Sequence, residues 1–249
     1  MFVPVRRDAD PLCRYGSGQW MGWLCGLLAL TAVAVAFVHR AHAHSLDDID
    51  AMLQSDEKYF QPIDKLMPEF TLRAADGRVV RPADLAGKVV VLHFIYTSCP
   101  DVCPLHAEKL AEIQKMVNAT PMKDRVVFIS ITTDPAKDTP DVLKAYGPTH
   151  GLDPVNWLFL TTAPDQPEDA TRKLAEAFGH KFTLTDDGYQ MHGIVTHVID
   201  RQGRWRANFH GMDFQPINLV TFVNALSNNV ERPHAEPEEG WLAKLKSFL

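Results

Sequence analysis

Two cysteines, Cys99 and Cys103, form the most reactive pattern in the chain, within the stretch VVVLHFIYTSCPDVCPLH at residues 89–106. A thiolate is the nucleophile of disulfide exchange, and it is also a soft ligand that selects Cu(I) and similar ions. If the turn between them is helix-like, a separation of four residues leaves their Cα atoms about 6 Å apart, within disulfide range. The spacing therefore allows a redox-active disulfide or a soft-metal site, and it does not choose between them.

The elements around the pair are a strand and a helix. The apolar, β-branched run at 89–96 is typical of a buried central strand. Apolar residues then recur at roughly helical intervals over 105–117. Because proline is tolerated only in the first turn of a helix, Pro104 predicts a helix that starts near it, with Cys103 at the cap and Cys99 in the loop. Helix N-termini lower the pKa of thiols, so this junction favours the thiolate.

Composition limits the class of protein. With 249 residues, 46% hydrophobic and 22% charged, the chain has the composition of one globular domain with extensions. A net charge of −6 and the absence of a long basic run argue against nucleic acid as a partner.

The N-terminal segment, residues 1–43, is predicted to lie outside the globular domain as a membrane anchor or signal segment. Arginines precede an uncharged, mainly apolar run at 20–38, which is about long enough to span a bilayer. Residues 41–43, Ala-His-Ala, resemble a signal-peptidase site, but the apolar run is longer than a typical signal core, so we favour an uncleaved transmembrane helix. In both cases the domain is expected on the periplasmic side of the inner membrane, where disulfides persist. Cys13 and Cys25 belong to this segment and are not expected to take part in the chemistry.

The order of strands and helices predicts an α/β, thioredoxin-like fold with a central mixed sheet flanked by helices. A hairpin around Asp76-Gly77 precedes the central strand, and a second hairpin spans residues 194–209. Strands at 125–132 and 157–160 alternate with helices at 139–146 and 168–178, and a last helix covers 217–226. Asp138 is a candidate N-cap for the helix that has Pro140 at its first position. The domain is placed at 65–229, after an acidic spacer or short helix at 44–64, and residues 230–249 form an acidic linker and a short amphipathic helix.

Three segments closely resemble the Sco/SenC family, copper-handling assembly factors of cytochrome c oxidase. They are YTSCPDVCP at 96–104, FISITTDPAKDTP at 128–140 and YQMHGIVTHVIDRQG at 189–203. The resemblance covers roughly residues 65–229. It implies a membrane-tethered, thioredoxin-like domain that binds one copper ion through Cys99, Cys103 and His192. It also implies that the partner is the copper-bearing subunit of cytochrome c oxidase or another cuproprotein.

The chemistry of the implied ligands agrees with copper. Two thiolates suit Cu(I), and an added imidazole makes a three-coordinate site that can also hold Cu(II). Three ligands leave the ion accessible, as a protein that must hand over its metal requires. Because the thiols must be reduced to bind, copper loading and thiol redox state are linked.

The other histidines are expected to be structural. His93 and His197 fall inside strands and are predicted to be hydrogen-bonded in or beside the core. His192 and His197 have opposite parity, so a regular strand would not aim both at one site. His106 and His210 are predicted to be solvated.

Other functions compete with copper handling. A thiol-disulfide oxidoreductase that reduces the cysteines of a client cuproprotein needs the pair but not His192, although such enzymes use Cys-x-x-Cys. A peroxidase of the peroxiredoxin type matches poorly, because Thr97 lies two rather than three residues before Cys99. A scaffold with a structural disulfide is disfavoured, since closing so short a loop stabilises little. No catalytic turnover is predicted, so a metallochaperone is preferred to an enzyme.

Overall fold

The computed structural model describes residues 45–184 and 190–228. The helices in these residues are α1 (Leu46–Asp56), α2 (Val102–Asn118), α3 (Pro140–Thr149), α4 (Ala170–Ala177) and α5 (Pro216–Ser227). The strands are β1 (Phe60–Leu66), β2 (Leu72–Ala74), β3 (Val79–Val80), β4 (Val89–Ile95), β5 (Val126–Thr132), β6 (Trp157–Thr162), β7 (Thr183–Leu184), β8 (Gln190–Met191), β9 (Val195–Ile199) and β10 (Arg204–His210). Short 3₁₀ turns cover Pro82–Leu85 and Pro121–Asp124.

The main sheet has eight strands in the order β1-β10-β9-β4-β5-β6-β2-β3. Strands β4, β5 and β6 are parallel to one another, and the other pairings are antiparallel. Strand β4 lies inside the sheet between β9 and β5, and all seven of its residues are buried. The predicted mixed sheet with a buried central strand is confirmed. A separate two-stranded sheet, β7 with β8, was not predicted.

The side chains of strand β4 alternate between the two faces of the sheet. Val89, Val91 and Ile95 point into one core together with residues of α1, α2, α3 and α5. Leu92 and Phe94 point into the other core, which includes residues of α4. This alternation with a period of two is what a strand covered on both faces requires. Each fully buried side chain of this kind contributes about 1.5–3 kcal/mol.

The segment at 44–64, expected as a spacer or short helix, packs as part of the domain. It holds α1 and most of β1, and β1 pairs with β10 at one edge of the sheet. Leu46 and Leu53 of α1 are 0% and 1% exposed and belong to the core that contains α2 and α5. Of the acidic residues that suggested a spacer, Asp47 and Asp48 are exposed in the first turn of this helix, whereas Asp50 is only 4% exposed.

The N-terminus of α1 carries a capping box, which gives a first prediction. The Ser45 hydroxyl accepts the Asp48 N–H at 3.2 Å, and the Asp48 carboxylate accepts the Ser45 N–H at 2.8 Å. Ser45→Ala is expected to lower the free energy of unfolding by about 1 kcal/mol, measured by urea denaturation. Ser55→Ala, the same substitution in the last turn of α1, is expected to cause no loss because alanine is the better helix former. Equal losses for the two variants would contradict the capping role.

The membrane prediction concerns residues beyond this part of the chain. In residues 45–184 and 190–228, no helix has the length and hydropathy needed to cross a membrane. The anchor predicted at 1–43 and the linker and helix predicted at 230–249 lie outside the described residues.

Candidate metal centre

The cysteine pair lies in the loop that joins β4 to α2, at the carboxyl end of the central strand. Helix α2 begins at Val102 with Asp101 as its N-cap, two residues earlier than Pro104 suggested. Pro104 still falls in the first turn, where its missing N–H is not needed. The backbone N–H of Cys103 donates to the sulfur of Cys99 at 3.5 Å. Cys99, rather than Cys103, therefore sits beyond the helix N-terminus and accepts a hydrogen bond from it.

The surroundings separate the pKa values of the two thiols. Burial acts to raise the pKa of Cys99, but backbone hydrogen bonds from Asp101 and Cys103 and side-chain hydrogen bonds from Cys103 and Tyr96 outweigh it, so the pKa is lowered. Burial raises the pKa of Cys103 to about 12, and the charges of Cys99 and Asp138 add to that effect. Both thiols are free in the structure. Cys99 is thus the nucleophile of the pair, and Cys103 holds its proton.

This difference predicts unequal alkylation. The pKa of Cys99 lies below 9.0 and that of Cys103 is about 12, so the thiolate fraction of Cys99 is larger by a factor of about 10³ or more. The thiolate of Cys103 is the more basic one and is therefore the better nucleophile, by a factor of about 20, which offsets part of this difference. Cys99 is still expected to react at least about 40-fold faster than Cys103. Its rate should rise with pH and pass half of its maximum below pH 9, whereas that of Cys103 should keep rising. Iodoacetamide labelling at several pH values, with tandem mass spectrometry of the tryptic peptide 89–109, measures both rates. Equal rates at pH 7.5 would contradict the assignment.

Asp138 fixes the start of the cysteine loop. Its side chain is fully buried and accepts the Thr97 N–H at 3.0 Å, the Thr97 hydroxyl and the Thr132 hydroxyl at 2.5 Å. The N-cap of α3 is Thr139, whose hydroxyl accepts the Val142 N–H at 3.4 Å, so the N-cap prediction for Asp138 is wrong. The carboxylate instead ties the carboxyl ends of β4 and β5 to the loop that carries Cys99.

A tyrosine hydroxyl is buried close to the pair. The Tyr146 phenol has no hydrogen-bond partner among the described residues. Burial, followed by the charges of Cys103 and Cys99, raises its pKa, so the phenol keeps its proton. Tyr146 therefore presents a neutral O–H group within electrostatic range of both thiols, and the sequence did not single this residue out.

His192 lies just before β9, and Tyr96 is the residue that packs near both His192 and the cysteines. The Tyr96 and His192 ring centroids are 6.2 Å apart, and Tyr96 packs with Cys99 and Cys103 in one apolar cluster. The Nδ1–H of His192 donates to the carbonyl of Gly193 at 3.0 Å, which leaves Nε2 as a bare lone pair. That Nε2 is buried and has no hydrogen-bond partner among the residues that the structure describes.

These donors fit copper by their chemistry, because two thiols and a buried imidazole lone pair are the donors that copper prefers. In the part of the chain that the structure describes, no group of three or more His, Cys, Asp or Glu side chains is already arranged to hold a metal ion. The structure brings Cys99 and Cys103 together with Tyr96, whose ring centroid lies 6.2 Å from that of His192. The set of Cys99, Cys103 and His192 as metal ligands remains a prediction.

Of the other histidines assigned a role from the sequence, His106 is more buried than expected. His93 is fully buried with its Nε2 2.6 Å from the Ser130 hydroxyl, as predicted. His106, predicted to be solvated, is 3% exposed, and its Nε2 lies 2.8 Å from the Thr196 hydroxyl. Burial lowers the pKa of His106 to about 3, so it is a neutral core residue. His210 is exposed, as expected.

Fold and site together define a thioredoxin-like domain with a dithiol at the carboxyl end of its central strand. The chain belongs to the SCO1/SenC family, whose match spans residues 60–226. An SCO2-like protein of Rickettsia conorii is 30% identical over 161 residues, which are 64% of this chain and 76% of the relative. The SCO1 protein homologue of Bacillus subtilis is 33% identical over 168 residues, which are 67% of this chain and 85% of the relative.

Solved structures show the same fold. A SCO1/SenC family lipoprotein from Bacillus anthracis superposes with a TM-score of 0.61 at 27% identity, covering 67% of this chain and 98% of that one. ScoI of Bradyrhizobium japonicum, solved with copper bound, gives a TM-score of 0.53 at 26% identity, covering 65% of this chain and 99% of that one.

Proposed function

We propose that this protein is a copper-binding assembly factor that delivers copper to the copper-bearing subunit of cytochrome c oxidase, or to another cuproprotein. Its ligands are Cys99, Cys103 and His192. An N-terminal transmembrane helix within residues 1–43 tethers it to the inner membrane, and the domain works in the periplasm. The observation that carries the proposal is the thiol pair at the carboxyl end of β4 in a chain of the SCO1/SenC family.

Copper is cargo in this proposal, and the two thiols have different parts in accepting it. Cys99, with its lowered pKa, offers the first soft donor. Cys103 keeps its proton in the metal-free protein and must release it on binding, so loading is coupled to proton release. The bare Nε2 of His192 supplies a donor that needs no deprotonation. The copper bound to the Bradyrhizobium japonicum relative supports the choice of metal.

Copper transfer tests this function. The reduced protein is loaded with one equivalent of Cu(I), mixed anaerobically with the copper-free, reduced copper-bearing subunit of an oxidase, and separated from it. We expect copper to move to the subunit while the thiol counts of both proteins stay constant. Copper that stays on the donor, or a donor that takes up none, would refute delivery.

A second function, thiol-disulfide exchange with the client, is favoured by the unequal pKa values of the two thiols. The Cys99 thiolate would attack a client disulfide and form a mixed disulfide. Cys103 would then lose its proton, attack Cys99 and release the client as a dithiol, leaving Cys99–Cys103 oxidised. Two electrons pass to the client in each such cycle. Mixing the reduced, copper-free protein with an oxidised client and counting thiols on each separates this activity from copper delivery.

A further inference from the structure

A second histidine with a bare, buried nitrogen lies next to His192. His180 follows α4, is 6% exposed, and has its ring centroid 5.4 Å from that of His192. Within residues 45–184 and 190–228, neither the Nδ1 atom of His180 nor the Nε2 atom of His192 has a hydrogen-bond partner, and both atoms are buried. A buried polar atom without a partner is costly, and two on neighbouring rings indicate a missing ligand.

A chain of hydrogen bonds fixes which nitrogen of His180 is bare. The Trp205 indole N–H can only donate, so the Asn208 side-chain atom that lies 2.9 Å from it is the amide oxygen. The same oxygen lies 2.7 Å from the Nδ1 atom of His197. His197 must therefore donate from Nδ1 and accept at Nε2. The Nε2 atom of His180 lies 2.9 Å from that acceptor and must be the donor. A neutral ring carries one N–H, so the Nδ1 atom of His180 is a lone pair.

Burial keeps both rings neutral, and aromatic side chains lie against them. Burial lowers the pKa of His180 to about 4 and also lowers the pKa of His192. The Phe94 ring lies 4.9 Å from that of His180, and the Phe182 ring lies 5.4 Å from that of His192. The backbone of Gly193 acts in the opposite direction and raises the pKa of both histidines. Of the two rings, that of His192 has the geometry of a hydrogen bond to the Gly193 carbonyl.

We propose that His180, through Nδ1, is a second imidazole ligand beside His192, so that the Cu(II) form of the protein is held by two imidazoles as well as by Cys99 and Cys103. This inference rests on the proposed copper function. Two imidazoles on one ion, with metal–nitrogen distances of about 2.0 Å, have ring centroids about 5.2 Å apart at a tetrahedral angle and about 5.5 Å apart at a trigonal one. The observed separation of 5.4 Å falls between these values.

The second imidazole changes which copper state is favoured. Two thiolates with few other donors suit Cu(I), whereas additional nitrogen donors suit Cu(II). The chain from Trp205 through Asn208 and His197 would then act as a positioning network that holds His180 in the ligating tautomer. These polar side chains lie in the core around β9 and β10, where an apolar side chain would otherwise pack.

Counting imidazoles in the Cu(II) form tests the inference. The full chain is loaded with one equivalent of Cu(II), and pulsed EPR measures the couplings to the remote ring nitrogens. We expect the pattern of two imidazoles in the unaltered protein and of one in His180→Gln, with Cu(II) affinity at least tenfold weaker in the variant. His106→Gln is the matched control, because His106 is also buried but hydrogen-bonds Thr196, and it should keep both imidazoles.

The outcomes separate this inference from the function on which it rests. A single imidazole in the unaltered protein, with copper bound in a cysteine-dependent way, would overturn the role of His180 and leave the copper function standing. Failure to bind stoichiometric copper at all would overturn the proposed function. The count on the unaltered protein decides the question even if His180→Gln does not fold. His197→Gln adds a test of positioning. This variant removes the acceptor that holds the N–H of His180 on Nε2, so fewer imidazoles should be counted on Cu(II) although His180 is still present.

Discussion

Replacing Cys99 and Cys103 together by serine is expected to abolish stoichiometric Cu(I) binding, raising the Kd by at least about 10⁴-fold. The two cysteine thiolates are soft donors that suit Cu(I), whereas a serine hydroxyl is a hard donor that keeps its proton at neutral pH. A change of this size corresponds to about 5.6 kcal/mol. Both cysteines are buried and close in volume to serine, so the fold should survive the exchange.

Competition with a chromophoric Cu(I) chelator under anaerobic conditions measures this change, and circular dichroism verifies the fold. His192→Ala is run beside it and should weaken Cu(II) more than Cu(I), because imidazole suits Cu(II) and the thiolates suit Cu(I). His210→Ala, at an exposed histidine bonded to Gln61, is the matched control and should bind both ions normally. A double serine variant that still binds one Cu(I) with unchanged affinity would remove the cysteines from the site.

Much of the framework around the cysteines could be predicted from local patterns. A β-branched run gave the buried strand β4, and helical periodicity gave α2 to within two residues at its start. The same periodicity could have placed His106 on the buried face of α2, since it lies three residues after Cys103 and four before Leu110, both of which are buried. Its polar ring is accommodated there by the hydrogen bond to the Thr196 hydroxyl.

Contacts between distant parts of the chain could not be predicted in this way. His180 meets His197 only because the segment after α4 packs against β9, on the face of the sheet that also holds Phe94 and Phe178. No periodicity within either element indicates that contact. The strand order, with β9 inserted antiparallel beside β4, is likewise a result of tertiary packing.

Asp138 shows how a local signal can point to the wrong role. A carboxylate just ahead of Thr139 and Pro140 has the features of an N-cap, but Thr139 takes that position. The partners of Asp138 are Thr97 and Thr132, which come together because β4 and β5 are parallel with Ile95 opposite Thr132. Only the pairing of the two strands reveals that this carboxylate holds the loop of Cys99.

Asp138→Asn is therefore expected to lower the free energy of unfolding by about 2–4 kcal/mol, because hydrogen bonds to a charged group are worth about 1.5–3 kcal/mol each and a buried donor left without a partner adds a penalty. The carboxylate accepts hydrogen bonds from the Thr97 N–H and from the hydroxyls of Thr97 and Thr132. The amide keeps only one oxygen acceptor, so at least one of these donors faces an NH₂ group instead. Thr97 lies two residues before Cys99, so the loosened loop should also weaken Cu(I) binding by roughly tenfold, a loss typical of removing a group that orients a ligand.

Urea denaturation and Cu(I) competition measure the two effects of Asp138→Asn. Asp141→Asn is the matched control, since that side chain is 95% exposed and the same substitution there should change neither quantity. Thr132→Val removes one donor while keeping the carboxylate, so its loss in stability should be smaller than that of Asp138→Asn. Because both variants act on one hydrogen bond, their losses should not add in the double variant. If the losses add fully, Asp138 and Thr132 act independently, and the carboxylate does not tie the end of β5 to the cysteine loop.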